Sequence, residues 1–119
     1  MSTQRPVALV TGGGTGIGRA AVIALAKAGH DVIINYSRSE GPAKETAAEA
    51  AKHGAKTLLC ECDVADEAGV KGMFADIEKT FGRLDVLINN AGYEIFAADL
   101  IAINIGYAQH KRVGQFLHR

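Results

Sequence analysis

The sequence predicts an α/β chain, a doubly wound parallel sheet with strand order 3-2-1-4. Three observations carry that expectation. Four short apolar runs recur at similar intervals, and none alternates with polar residues, as expected of strands covered on both faces. Helical patterns fill the gaps between them. Each of those patterns closes on a glycine, at Gly29, Gly54 and Gly82. The order is then β-α-β-α-β-α-β, and right-handed crossovers give the doubly wound arrangement.

The first strand is read at Val7, Ala8, Leu9 and Val10. The helix after it places Ile17, Ala21, Ala24, Leu25 and Ala28 on one face. Val32, Ile33 and Ile34 make the second strand. An Ala- and Glu-rich helix follows and can start at Pro42, where a missing N–H costs nothing. Thr57, Leu58, Leu59 and Cys60 form the third strand. The third helix has the clearest period: Asp66 is its N-cap, and Val70, Met73, Phe74, Ile77 and Phe81 are its buried stripe. Val86, Leu87 and Ile88 make the fourth strand. Ile95 to Ile105 is largely apolar and fits helix or strand, and Gly106 breaks it.

Composition narrows the function classes. The chain has 119 residues, 48% of them hydrophobic, so it is globular and long enough to bury a core. Thirteen basic residues balance thirteen acidic ones, which argues against nucleic acid or an anionic membrane as partner. After Asp99 only basic charges follow, on Lys111, Arg112 and Arg119 with His110 and His118, and they read as a solvated tail. No run is long enough for a membrane span, and the N-terminus has no signal-peptide pattern. Cys60 and Cys62 lie two apart on one strand, too constrained for an ordinary disulfide. They read as reduced, buried thiols of a cytoplasmic protein, with Glu61 facing away and no metal site implied.

The strongest local signal is the run Thr11, Gly12, Gly13, Gly14, Thr15, Gly16, Ile17, Gly18, set between the first strand and the first helix. Glycine lets the backbone turn sharply and approach a phosphate. The helix then aims its N–H groups and positive dipole end at the anion. The G-x-G-x-x-G spacing is absent; Gly16, Gly18 and Ala21 fit its alanine variant but start late.

The T-G-x-x-x-G-x-G spacing resembles the short-chain dehydrogenase/reductase family. Three further matches follow in that family's order: Asn35, Tyr36, Ser37 and Arg38 end the second strand, Asp63 and Val64 come after the third, and Asn89, Asn90, Ala91 and Gly92 end the fourth. The resemblance implies a truncated Rossmann-like sheet, with residues 1–92 as a dinucleotide-binding half-domain and 93–119 as a divergent C-terminal tail. It also implies cofactor contacts at Gly12, Gly14, Thr15, Gly16, Ile17, Gly18, Asn35, Arg38, Asp63, Val64, Asn89, Ala91 and Gly92. An NAD site usually carries an acid at the ribose position, which would repel a 2′-phosphate. That position is read here as the uncharged Asn35, with Arg38 three residues on and Arg19 nearby to pair with the phosphate. The expected cofactor is therefore NADP, with NAD as the alternative.

The family's catalysis uses Asn, Ser, Tyr and Lys, well beyond its N-N-A-G motif. Here Tyr107 and Lys111 fit Y-x-x-x-K and would share a helix face, but Tyr107 follows Gly92 by only 15 positions. That leaves no room for a helix and a strand, so the match reads as coincidental. No Ser or Thr follows Thr80, and Asn104, which resembles the family's mid-helix Asn, comes early. The expected function is a carbonyl or alcohol oxidoreductase in a truncated form lacking catalysis. Its rivals are a nucleotide-binding module without turnover, and a fragment or shifted frame, which the encoding DNA would separate. The fourth strand would sit at an open edge, which predicts a homo-oligomer with Ile95 to Ile105 in the contact. The substrate is not legible.

Overall fold

A computed structural model describes residues 5–90. Their elements are β1 (Val7–Thr11), α1 (Gly16–Lys27), β2 (Asp31–Tyr36), α2 (Glu40–Ala51), β3 (Thr57–Glu61), α3 (Glu67–Thr80) and β4 (Val86–Asn89). All strand pairings are parallel and run in the order β3-β2-β1-β4, as the sequence predicts. Strand alternation divides the apolar residues between two layers. Ala8, Val10, Val32 and Ile34 pack with Val22 and Ala26 of α1 and with Ala43, Ala47 and Ala50 of α2. Val7, Leu9, Ile33 and Cys60 pack with Val70, Met73, Phe74 and Ile77 of α3. Both faces are covered, which is why the strand sequences are continuously apolar.

The third helix keeps its predicted stripe: Val70, Met73, Phe74 and Ile77 are buried and Phe81 packs at the margin. Asp66 holds the N-cap position, yet its side chain makes no capping bond. The local turn is made by Asp63 instead, whose Oδ1 accepts the Ala65 N–H at 2.9 Å. The second helix begins at Glu40, two residues before Pro42, which still falls in a first turn whose N–H groups have no helical partner.

The first helix departs from the expected face. Its buried residues are Gly18, Val22 and Ala26, with Ala21 and Leu25 half-buried beside them. Ile17, Ala24 and Ala28 face outward. The cause is a contact made by glycine: Gly18 lies directly against the Gly12 carbonyl, and this close approach sets the rotation of α1. At the other end of α1, Arg5 Nη2 donates to the carbonyls of Ala26 (3.0 Å) and His30 (2.9 Å), placing a cation at the helix's negative end.

Strand order reverses between β1 and β4, so the crevice beyond their carboxyl ends is the switch point where such sheets bind ligands. The tail boundary at 93 and the run from Ile95 to Ile105 lie outside the described residues.

Candidate functional site

Between Thr11 and Gly16 the chain passes directly from strand to helix. The turn is held from β2: the Gly13 N–H donates to the Asn35 carbonyl at 2.9 Å, and the Gly12 N–H to Asn35 Oδ1 at 3.2 Å. The expected glycines separate into two kinds. Gly14 and Gly18 are packing residues. A Cβ on Gly14 would press the Ala43 backbone at 3.1 Å, and one on Gly18 would collide with the Gly12 carbonyl. Gly16 is different. Its φ is +57°, and a Cβ there would meet nothing within 4 Å. Thr15, Gly16 and Ile17 are exposed, Ile17 to 79%. Thr15 makes no capping bond, and the first turn of α1 has no acidic residue. The helix N-terminus therefore presents N–H groups and a positive dipole end with no competing side-chain acceptor at the cap, which fits a pyrophosphate.

At the end of β2 the structure corrects one expectation. Asn35 is 2% exposed and does not face the crevice. Alternation puts Val32, Ile34 and Tyr36 on the α1–α2 side and turns Asn35 the other way, opposite Cys60. Its Nδ2 donates to the carbonyls of Cys60 (3.3 Å) and Cys62 (2.9 Å). The open hollow at this end, about 260 Å³, is lined by Gly12, Thr15, Tyr36, Ser37, Arg38 and Ser39. The apolar run that marks this strand in the sequence stops at Ile34, two residues before Tyr36; the sequence reading named Tyr36 and Ser37 in the motif without a contact role and did not single out Ser39. Arg38 is exposed there. Arg19 is committed elsewhere: its Nη1 donates to Thr46 Oγ1 at 3.1 Å, joining α1 to α2.

Asp63, after β3, is exposed, while the Val64 side chain is 3% exposed and packs in the α3 layer. Only the backbone of Val64 is left for a ligand. At the end of β4 the Thr11 hydroxyl donates to Asn89 Oδ1 (3.0 Å) and accepts the Asn90 N–H (2.8 Å). Asn90 Nδ2 donates to the Gly12 carbonyl at 3.3 Å. Asn89 and Asn90 thus fasten β4 to the glycine turn, and Thr11 and Asn90 join the site although the sequence reading gave neither a role. Ala91, Gly92, Asn104, Tyr107 and Lys111 lie outside the described residues.

Cys60 and Cys62 are free, buried and turned toward α3. Burial, reinforced by the charge of Asp76, pushes the Cys60 thiol up to about 12, and burial also raises Cys62. Both stay protonated at neutral pH and are poor nucleophiles. Among the described residues no cluster of three His, Cys, Asp or Glu side chains could hold a metal, and no helix is long and apolar enough to cross a membrane.

A parallel sheet with a glycine turn at its reversal point defines the Rossmann class of nucleotide-binding α/β folds. The chain belongs to the short-chain dehydrogenase family, whose model matches residues 6–104. It is 45% identical over 91 residues to the short-chain dehydrogenase/reductase homolog YusS of Bacillus subtilis, covering 76% of this chain and 84% of that one. It is 41% identical to the tetrahydroxynaphthalene reductase PfmaG of Pestalotiopsis fici, covering 78% of this chain but 34% of the reductase. A mutant short-chain dehydrogenase/reductase from Serratia marcescens superposes with a TM-score of 0.71 at 38% identity, covering 76% of this chain and 37% of that structure. The match therefore spans about a third of the longer relatives' length. The family is one of oxidoreductases that use nicotinamide dinucleotides.

Proposed function

We propose that the chain binds NADP(H), as the cofactor-holding part of an oxidoreductase that moves hydride between the dinucleotide and a carbonyl or alcohol. The observation that carries this reading is the hollow beside the phosphate turn, whose lining includes Ser37, Arg38 and Ser39 and no carboxylate. A guanidinium and two hydroxyls suit a 2′-phosphate. The pyrophosphate sits at the N-terminus of α1 against Thr15, Gly16 and Ile17, with Gly12 beside it. Asp63, at the carboxyl end of β3, is assigned to the adenine side. The bound dinucleotide supplies or accepts the hydride; the described residues bind and orient it.

Titration calorimetry tests this assignment. NADP is expected to bind more tightly than NAD, and Arg38→Ala to weaken NADP at least about tenfold while leaving NAD nearly unchanged. NAD binding more tightly than NADP would remove the role given to Arg38.

A second reading, binding without turnover by this chain, is favoured by one observation: the Tyr107 and Lys111 pair follows Gly92 by only 15 positions, too few for a helix and a strand between them. NADPH oxidation with any of a panel of aldehydes and ketones, abolished by Tyr107→Phe, would overturn it. The proposed setting is cytoplasmic, in keeping with two free thiols. The proposed assembly is a homo-oligomer through the β4 edge, and a monomer by light scattering at high concentration would contradict it.

A further inference from the structure

We infer that Asn35 is a positioning residue for the dinucleotide, a single buried amide that fixes both the phosphate turn and the loop carrying Asp63. The inference rests on the dinucleotide reading given above. Gly12 lies one residue beyond β1, and Cys62 one residue beyond β3. β2 runs between those two strands, so a side chain on its last residues can reach both ends. Asn35 does so with both ends of its side-chain amide. Its Oδ1 accepts the Gly12 N–H at 3.2 Å, and its Nδ2 donates to the Cys60 and Cys62 carbonyls at 3.3 and 2.9 Å. The backbone repeats the pattern: the Asn35 carbonyl accepts the Gly13 N–H at 2.9 Å, and the Tyr36 carbonyl accepts the Cys62 N–H at 2.8 Å.

The chemistry at this point is selective. An apolar residue would suit the strand but leave these partners of the amide unmatched. A carboxylate would still accept from Gly12, yet it would set an anionic oxygen against two carbonyl oxygens. The amide offers an acceptor oxygen toward β1 and two N–H donors toward β3. Cys62 directly precedes Asp63, so the amide fixes the distance between the phosphate turn and the adenine side of the site. A ligand that spans both then binds to a frame already set.

Asn35→Asp and Asn35→Ala separate the two halves of this clamp. Asp is expected to keep the Gly12 amide protected from hydrogen exchange in the ligand-free chain while exchange at Cys62 and Ala65 speeds up. Ala is expected to expose both sides. Both variants are expected to lose at least about tenfold in NADP affinity by calorimetry while retaining a cooperative thermal transition. Folded variants with wild-type affinity would overturn the positioning role, as would unchanged exchange at Gly12, Cys62 and Ala65. If either variant fails to fold, the wild-type Asn35 side-chain amide protons decide by NMR: they are expected to exchange slowly and to shift on adding NADP. Fast exchange or no shift would contradict the inference. A wild-type chain that binds neither NADP nor NAD would instead refute the dinucleotide reading, while the exchange pattern still reports on the clamp itself.

Discussion

A methyl group added at Gly18 and one added at Gly16 meet opposite surroundings. At Gly18 it strikes the Gly12 carbonyl, so α1 or the turn must move; at Gly16 it enters open space. Gly18→Ala is therefore expected to destabilise the chain by about 1–3 kcal/mol or more through overpacking. Gly16→Ala should cost only about 1–2 kcal/mol, the penalty of a left-handed conformation for a residue with a Cβ. Urea denaturation of the two variants measures the difference; Gly18→Ala as stable as wild type would contradict the packing role. The run from Thr11 to Gly18 was legible as a strand-to-helix turn because its glycines lie together between an apolar run and a helical pattern. Which glycine faces a ligand and which faces the protein was not legible, because that depends on how α1 returns against Gly12. Asn35 was misread for a related reason. A strand covered on both faces carries no alternation in its sequence, so nothing marks which side residue 35 takes.

Helices differ in how plainly they declare their buried side. In α3 the large residues Val70, Met73, Phe74 and Ile77 fall on one stripe with charged residues around them, and one rotation satisfies the pattern. In α1 the alanines offer two rotations of similar hydrophobicity, and the glycine contact at its start selects the one with Gly18, Val22 and Ala26 inside. Phe74→Ala, at a position with no exposure, should cost about 3–5 kcal/mol. Ile17→Ala, at a residue 79% exposed, should change stability by no more than about 0.5 kcal/mol despite removing a large apolar group. Thermal or urea unfolding reads both values. A large loss at Ile17 would restore the face that the sequence first suggested.

At the scale of the molecule the topology was the most legible feature, because connection handedness leaves few choices once four apolar runs and three helices are placed. That topology brings Thr11, Gly12, Asn35, Asn89 and Asn90 together at the carboxyl ends of β1, β2 and β4, although residues near 11 and 90 are far apart in sequence. It also leaves the backbone of Gly16 exposed at the start of α1, where the proposed pyrophosphate site lies. The most direct test of the central claim is calorimetric titration of the wild-type chain and Gly16→Val with NADP. A Cβ at this position has open space around it, so a side chain there reaches toward a ligand. The positive φ also strains it, so the comparison is made on a variant that still unfolds cooperatively. The account predicts measurable binding by the wild type and none by a Gly16→Val chain that still unfolds cooperatively; equal affinity of the two would contradict it.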